Sequence, residues 1–168
     1  AGTEILEITG TSTALTADDF DQIVDVDIIK LLGSTATSVT LANESASYTH
    51  ASLYGSYTVD ASALGAAATI DATEEADGKL TILGGASGDT ITASQSVNFG
   101  DSINGGAGND TIKFGANSYF TAIDSIDGGA GSDTLHFAAN ATLTDALFAN
   151  VSNIKTLEAG SNIEFASV

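Results

Sequence analysis

A nine-residue motif rich in glycine occurs three times in the second half of the sequence. It reads GGASGDTIT at 84–92, GGAGNDTIK at 105–113 and GGAGSDTLH at 128–136. In each copy the sixth residue is an aspartate, namely Asp89, Asp110 and Asp133. Glycine allows sharp turns with positive φ and lets backbone carbonyl oxygens come close together. Carbonyl and carboxylate oxygens are the ligands that hard cations such as Ca²⁺ take, so these stretches are candidate calcium sites.

The elements that position these turns follow from the spacing of the apolar residues around them. Two series of aliphatic residues share intervals of 21 and 23 residues: Ile82, Ile103 and Ile126, and Ile91, Ile112 and Leu135. Val59 and Ile70 extend the two series upstream. Two strands per coil, each stacked on its counterpart in the next coil, produce this pattern. The sequence therefore predicts an all-β fold, a right-handed parallel β-solenoid or β-roll of about seven coils of 21–23 residues.

In such a stack the glycine turns lie above one another on one edge. A single turn supplies about half of the six to eight oxygens that Ca²⁺ takes, and the next turn supplies the rest. We therefore expect several calcium ions between coils, bridging Asp89 with Asp110 and Asp110 with Asp133. The other candidate ligands lie in the same turns: Gly84, Gly85, Ser87, Gly105, Gly106, Gly108, Asn109, Gly128, Gly129 and Gly131.

Three further acidic residues are candidates for metal binding outside these turns. Asp101 and Asp124 stand in the matching strings DSINGG and DSIDGG. The preferred interpretation is that they cap turns through hydrogen bonds to the backbone, and the alternative is a second metal row on the opposite edge. Glu4, in AGTEILEI, occupies the place of the motif aspartate and is also a metal candidate.

The composition is strongly acidic but is not that of a disordered chain. The 168 residues include 22 Asp and Glu against 4 Lys and Arg, a net charge of −18, and 43% are hydrophobic. Nucleic-acid binding needs a basic face and is excluded, and no apolar run reaches the roughly 18 residues that membrane insertion requires. There is no cysteine, no H-E-x-x-H, no G-x-S-x-G and no phosphate loop. The carboxylate pairs Asp18–Asp19 and Glu74–Glu75 are expected to be solvated. With no catalytic motif, 4 Lys and Arg and 7% aromatic residues, the sequence predicts no enzyme activity.

A longer period overlies the coil period. AGTEILEI at 1–8 aligns with AGSDTLHF at 130–137, and LTADDFDQI at 15–23 aligns with LTDALFANV at 143–151. We interpret residues 1–168 as one elongated domain with about 1.3 copies of a unit of about 129 residues, a segment of a long tandem array. Short helical turns are expected near 16–22 and 144–150, where Thr16 and Thr144 would act as N-caps. The stretch 42–58 has no readable pattern.

The nonapeptide copies resemble the RTX, or hemolysin-type, calcium-binding repeat, G-G-x-G-x-D-x-aliphatic-x. The copies at 105–113 and 128–136 match every specified position. In the copy at 84–92, Ser87 replaces the fourth glycine and Gly88 follows one place late. The resemblance implies one row of calcium turns within 84–136, with longer loops on the other edge, because the family's coils have only about 18 residues. The Ala/Thr/Ser-rich coils are similar to those of bacterial S-layer proteins and large type I-secreted surface proteins.

The resemblance implies a non-enzymatic structural component of a secreted bacterial surface layer, fibre or extracellular matrix, rigidified by Ca²⁺. The alternatives are a stalk segment of a large RTX adhesin and the calcium-binding tail of a secreted enzyme or toxin. The expected partners are copies of the chain or adjacent repeats of a longer one, with cell-surface polysaccharide as a further candidate. The expected location is the extracellular surface after type I secretion, with the C-terminal secretion signal outside this sequence. The outward ladder Thr90, Thr111 and Thr134 leaves an ice-binding face as another alternative.

Overall fold

The computed structural model describes residues 2–10, 14–16, 26–41, 56–76, 78–115 and 119–166 of the chain. Within these ranges the chain forms fourteen strands and a short 3-10 helix at Asp145–Phe148. The strands are β1 (Ile5–Thr9), β2 (Ala14–Leu15), β3 (Ile28–Leu32), β4 (Thr37–Thr40), β5 (Ser56–Asp60), β6 (Ala68–Asp71), β7 (Lys79–Leu83), β8 (Thr90–Thr92), β9 (Ser102–Asn104), β10 (Thr111–Phe114), β11 (Ser125–Asp127), β12 (Asp133–Thr144), β13 (Val151–Ser152) and β14 (Ile154–Ala166).

The strands alternate between two parallel sheets as the chain advances. The odd-numbered strands form one sheet in the order β1-β3-β5-β7-β9-β11-β13, and the even-numbered strands form the other in the order β14-β12-β10-β8-β6-β4-β2. A chain that adds one strand to each of two sheets per circuit is a parallel β-solenoid, and the arrangement fits the right-handed β-roll predicted from the sequence. The seven strands of each sheet are joined by six complete turns of the chain, slightly fewer than the expected coil count.

The inward-facing residues form aliphatic columns, as the intervals in the sequence predict. In the odd sheet the paired residues, at most 1% exposed, are Val59, Ile82, Ile103 and Ile126. In the even sheet the paired residues, all 0% exposed, are Ile70, Ile91, Ile112 and Leu135. Burying one such side chain stabilises a fold by about 1.5–3 kcal/mol. Because each coil contacts only its neighbours, these columns are the core that holds successive coils together.

Coil length is less uniform than predicted. Ile28 pairs with Thr58 and Thr37 pairs with Ala68, so this coil is 58 − 28 = 30 residues long in one sheet and 68 − 37 = 31 in the other. The prediction of 21–23 residues per coil is therefore wrong here. The additional length lies between β4 and β5, in a connection that contains residues 42–55, which are outside the described residues.

The helical turn expected near 144–150 is the 3-10 helix at Asp145–Phe148. Thr144 precedes it in an extended conformation, but its side chain makes no capping hydrogen bond, so the predicted cap contact is absent. The helix lengthens its coil, since Ile126 pairs with Val151, 151 − 126 = 25 residues later. The turn expected near 16–22 lies, apart from Thr16, outside the described residues.

The unit of about 129 residues stays a prediction. Leu15 of β2 and the aligned Leu143 of β12 both lie in the even sheet. The segments before them do not share a sheet, because β1 is in the odd sheet whereas residues 134–137 are in β12. The alignment of 1–8 with 130–137 therefore joins strands from different sides of the solenoid.

The edge that follows the even strands carries longer loops than the glycine edge, as the resemblance implies, and it also carries larger side chains. Phe114 and Phe137 stack with their ring centroids 5.9 Å apart. Phe120 packs against both rings, with centroid distances of 4.9 Å and 5.1 Å. These aromatic rings extend the hydrophobic core into this edge of the last coils.

One expectation about solvated carboxylates is wrong. Glu75 is only 1% exposed, although the pair Glu74–Glu75 was expected to face solvent. Its backbone N–H donates to the carbonyl oxygen of Ala72 at 3.0 Å, and its own carbonyl oxygen accepts from the N–H of Gln95 at 2.7 Å. The first bond closes a turn within one coil, and the second joins Glu75 to the next coil. The pair Asp18–Asp19 lies outside the described residues.

Candidate metal centre

Three glycine-rich turns lie above one another on one edge of the solenoid. They connect β7 to β8, β9 to β10 and β11 to β12, and are named turn 1 (residues 84–89), turn 2 (105–110) and turn 3 (128–133). Backbone hydrogen bonds of 2.8 Å join them, from Ala107 N to Gly85 O and from Ala130 N to Gly106 O. The structure therefore places the candidate ligands of the three motif copies in one row.

Glycine is required in turns 2 and 3 for both conformation and space. The second and fourth residues have positive φ, with values of +92° and +127° for Gly106 and Gly108, and +82° and +143° for Gly129 and Gly131. A Cβ on Gly105 would lie 2.5 Å from Asp110 Oδ2 and 2.6 Å from Gly128 O. A side chain would therefore fill the space between a carboxylate oxygen and a carbonyl oxygen of the next turn.

The motif aspartates end the turns and are buried. Asp89, Asp110 and Asp133 are 2%, 1% and 0% exposed. Asp110 Oδ1 accepts a hydrogen bond from the backbone N–H of Asp89 at 2.7 Å, and Asp133 Oδ1 accepts from that of Asp110 at 3.0 Å. Asp89 Oδ1 accepts from the N–H of Ala68 at 2.7 Å. Each carboxylate therefore ties its own coil to the preceding coil.

The second oxygens of these carboxylates are where a cation would bind. Oδ2 of Asp110 and Oδ2 of Asp133 are buried and have no hydrogen-bond partner among the described residues. Burial is the main cause that raises the pKa of Asp110 to about 6; the hydrogen bond from Asp89 opposes the shift, and the charges of Asp89 and Asp133 add to it. A buried charged oxygen without a partner is unfavourable, and a bound cation would compensate it.

The donor set of turns 2 and 3 fits calcium. No group of three His, Asp or Glu side chains in the described part of the chain is arranged to hold a metal ion by itself. Backbone carbonyl oxygens must therefore complete any site, and the glycine turns bring such oxygens together. Calcium takes carboxylate and carbonyl oxygens in flexible geometry, whereas zinc prefers nitrogen and sulfur ligands.

Turn 1 differs from the other two. Both oxygens of Asp89 have donors, because Oδ2 accepts from the N–H of Gly85 at 2.6 Å. Burial raises the pKa of Asp89, and the hydrogen bonds from Ala68 and Gly85 oppose the shift. In turn 1 Ser87 replaces the fourth glycine. The structure describes every residue of this turn, and none has positive φ. The structure thus leaves no free oxygen on Asp89, which was expected to share an ion with Asp110.

Asn109, another candidate ligand, uses its side chain between turns. Its Oδ1 accepts a hydrogen bond from the backbone N–H of Ser132 at 2.9 Å. This bond joins turn 2 to turn 3 on the outer side of the row. The side-chain oxygen of Asn109 is therefore engaged with the protein backbone.

Asp101 and Asp124 lie on the opposite edge, immediately before β9 and β11, and are 2% and 1% exposed. Asp101 Oδ2 accepts from the N–H and the hydroxyl of Ser94 at 3.2 and 2.7 Å, and its Oδ1 accepts from Leu80 N at 3.4 Å. Asp124 Oδ2 accepts from the N–H and the hydroxyl of Thr121 at 2.6 and 3.1 Å, and its Oδ1 accepts from Asp101 N at 2.8 Å. Since all four oxygens have donors, these residues act as turn caps, the preferred interpretation of their sequence.

Glu4 does not join the row of motif aspartates. It is exposed and precedes β1, so it lies on the same edge as Asp101. Its backbone N–H donates to Asp27 Oδ2 at 2.9 Å, which repeats the bond between Asp101 and Asp124. The alignment with the tail of the motif placed Glu4 on the glycine edge, whereas the structure places it on the opposite edge.

Sequence reasoning missed Asn104 and Asp127, which stand immediately before the two glycines of turns 2 and 3. Asn104 Oδ1 accepts from the N–H of Gly106 at 2.9 Å, and Asp127 Oδ1 accepts from that of Gly129 at 3.0 Å. The strings N-G-G and D-G-G were the available signal, because Asn and Asp commonly bond the backbone two residues later. A hydrogen bond from Asn153 is the main cause that lowers the pKa of Asp127, and the bond from Gly129 adds to it.

The outward hydroxyl ladder of the even sheet is longer than predicted. Its paired positions are Ser38, Thr69, Thr90, Thr111, Thr134 and Thr156. The neighbouring outward column is mixed, with Thr40, Asp71, Thr92, Lys113, His136 and Glu158. Charged side chains therefore interrupt the hydroxyl face, and the ice-binding alternative gains no support from the structure.

Comparison with known families identifies the region that holds the three turns. Residues 83–118 and 121–140 match the family model of the RTX calcium-binding nonapeptide repeat (4 copies). No curated protein and no solved structure matches the chain. The matched residues contain turns 1 to 3 and the strands β8 to β11. Residues 83–140 therefore belong to the RTX calcium-binding nonapeptide repeat family.

Proposed function

We propose that the chain is a non-enzymatic structural segment of a secreted bacterial surface layer, fibre or extracellular matrix, and that calcium folds and rigidifies its solenoid. The observation that carries this proposal is the pair of buried oxygens, Asp110 Oδ2 and Asp133 Oδ2, which have no donor among the described residues and lie at glycine turns. Without a cation, two neighbouring coils would each contain an uncompensated buried carboxylate oxygen.

Turns 2 and 3 would hold the calcium. Asp110 and Asp133 each direct one oxygen to a backbone N–H of the preceding coil, which fixes the side chain and leaves the other oxygen free. The positive-φ glycines give these turns a conformation in which carbonyl oxygens of neighbouring coils approach one another. When bound, calcium supplies positive charge and takes six to eight oxygen ligands. This charge offsets part of the net charge of −18, which opposes a compact state.

A groove at the last coil is lined by apolar, hydroxyl and amide side chains. It has a volume of about 300 Å³ and is lined by Leu135, Phe148, Val151, Ser152, Asn153, Ile154 and Leu157. None of these side chains titrates near neutral pH, so the groove offers no general acid or base. The in-register columns of the two sheets instead support a role in which shape and stiffness are the function.

The described residues contain no helix that is both long and apolar enough to cross a membrane. The proposed location, outside the cell after type I secretion, is supported by the RTX repeats at 83–140. Extracellular calcium modules have Kd values of about 10⁻⁴–10⁻³ M, so we expect the segment to bind calcium at the concentration found outside cells. We therefore propose that the chain completes its folding after export.

Asp110→Asn is expected to weaken calcium binding at least about tenfold, because it removes the charge of a carboxylate that has one free oxygen. Asp101→Asn is the matched control, a buried aspartate on the opposite edge whose two oxygens already have donors. It should bind calcium as the wild type does. Titration calorimetry measures both affinities, and circular dichroism checks that both variants fold. Equal losses in the two variants would contradict the assignment of the calcium edge.

The last strand supports a proposal about partners. Leu157 of β14 pairs with the buried Leu135 yet is 40% exposed, and Phe165 is 64% exposed. Another coil stacked on β14, from an adjacent repeat or a second copy of the chain, would cover both side chains. We expect oligomers at about 5 mM calcium, seen by light scattering and electron microscopy, and none with chelator. A chain that is folded but monomeric in calcium favours the adhesin stalk instead.

A further inference from the structure

The three turns differ in the acceptor of one backbone N–H, that of the second glycine. In turn 1 the N–H of Gly85 donates to the motif aspartate of its own turn, Asp89, at 2.6 Å from Oδ2. In turns 2 and 3 the corresponding N–H donates to the residue before the two glycines, from Gly106 to Asn104 Oδ1 at 2.9 Å and from Gly129 to Asp127 Oδ1 at 3.0 Å.

The residue before the two glycines occupies one position in three neighbouring strands. Leu83 of β7 pairs with Asn104 of β9, and Asn104 pairs with Asp127 of β11. A leucine side chain has no hydrogen-bond acceptor, whereas Asn and Asp have one or two acceptor oxygens. The N–H of Gly85 therefore has no acceptor at position 83 and is satisfied by the carboxylate of its own turn.

The difference decides which carboxylates have a free oxygen. Asp89 accepts hydrogen bonds on both oxygens, from Ala68 and from Gly85. Asp110 and Asp133 accept only on Oδ1, and their Oδ2 atoms are buried without a partner among the described residues. The three aspartates are equally buried and occupy the same place in the motif. The hydrogen-bond acceptor before the two glycines is therefore the contact that distinguishes Asp110 and Asp133 from Asp89.

We propose that Asn104 and Asp127 are positioning residues for calcium. Each accepts the glycine N–H that would otherwise engage the motif carboxylate, and so keeps one oxygen of Asp110 or Asp133 free for the ion. Turn 1, with Leu83 at this position, contributes a hydrogen-bonded carboxylate and no calcium ligand. This inference rests on the proposed calcium binding by turns 2 and 3 and goes beyond it, because the matched family region includes turn 1.

Turn 1 also differs in the order of its residues, and the two differences can be exchanged separately. Its fourth and fifth residues are Ser87 and Gly88, where turn 3 has Gly131 and Ser132. The exchange Ser87→Gly with Gly88→Ser gives turn 1 the sequence of turn 3 but retains Leu83. Adding Leu83→Asn also supplies the missing acceptor.

The test counts the calcium ions bound per chain, by native mass spectrometry together with titration calorimetry. The triple variant Leu83→Asn, Ser87→Gly, Gly88→Ser should bind one ion more than the wild type. The double variant without Leu83→Asn should bind the wild-type number, and Asn104→Leu should bind one ion fewer. Asn104→Asp, which retains an acceptor, should keep the wild-type number. Thr81→Asn is the control, because it places the same amide on the same strand at an outward position.

The outcomes separate this inference from the proposed function. If the folded triple variant gains no ion, or if Asn104→Leu keeps the wild-type number, the positioning role is overturned. Loss of an ion in Asp89→Asn overturns the statement that turn 1 contributes no ligand, and an unchanged ion count in that variant supports it. A folded wild-type chain that binds no calcium in the same titration contradicts the proposed function itself.

Discussion

Removal of calcium should lower the melting temperature of the protein by about 10–20 °C. An ion that binds only the folded state contributes about 2.7 kcal/mol at a hundredfold excess over its Kd. Asp110 and Asp133 each present a free buried oxygen, so we expect about two such contributions. For a chain of this size each kcal/mol corresponds to roughly 2–4 °C. Thermal unfolding followed by circular dichroism, in saturating calcium and in excess chelator, measures the difference.

Two controls identify the source of this effect. Magnesium at the same concentration should restore little of the lost stability, because it requires near-ideal octahedral geometry and gives up its water reluctantly. The double variant Asp110→Asn, Asp133→Asn should melt at the same temperature with and without calcium, since it lacks both carboxylates with a free oxygen. Superimposable melting curves of the wild type in calcium and in chelator would refute the calcium proposal.

In chelator, the protein should become more stable as the pH is lowered from 7.5 to about 5. Burial is the main cause that raises the pKa of Asp101 and that of Asp110 to about 6, from an ordinary value of 3.8. The folded state therefore binds protons more tightly than the unfolded state does. Its extra stability is fully present below about pH 4 and is lost as the pH rises through about 6. Each shift corresponds to at most about 3 kcal/mol, which urea unfolding at several pH values can measure.

Variants and calcium separate the two carboxylates in this experiment. Asp101→Asn should remove part of the pH dependence in chelator, because burial raises the pKa of Asp89 and that of Asp124 as well as that of Asp110. Saturating calcium should remove the contribution of Asp110 to the pH dependence, because a bound cation favours the ionised carboxylate. The contribution of Asp101 should remain. Asp127 has a lowered pKa, so its contribution has the opposite sign and lies at lower pH. A stability in chelator that increases from pH 5 to pH 7.5 would show that burial does not control these carboxylates.

Much of the fold was predictable because a parallel stack converts spacing along the chain into pairing between strands. The intervals between Ile82, Ile103 and Ile126 predict that these residues pair, and they do. The coil that contains residues 42–55 was not predictable in length. Leu53 is the single Leu, Ile or Val in that stretch, so the sequence does not distinguish an insertion from an additional coil.

The candidate site was predictable in its position but not in its detail. Glycine spacing places Asp110 and Asp133 in one row, whereas the free oxygen depends on an acceptor that lies outside the positions specified by the nonapeptide. The placement of Glu4 shows a second limit. The aligned LEI at 6–8 and LHF at 135–137 both alternate with period two, and this alternation is shared by the strands of both sheets. Sequence similarity alone therefore did not decide on which edge Glu4 lies.

Tension along the solenoid axis would load the interfaces between coils in series, so the weakest interface would set the force at which the segment opens. Three of the strands beside the glycine turns, β8, β9 and β11, have only three residues each. The aspartate bonds cross the same interfaces, on one edge from Asp110 and Asp133 and on the other from Asp124. Both rows of carboxylates thus reinforce a part of the segment in which several strands are short. With calcium bound as proposed, its resistance to pulling would depend on the surrounding calcium along one edge and on the sequence alone along the other.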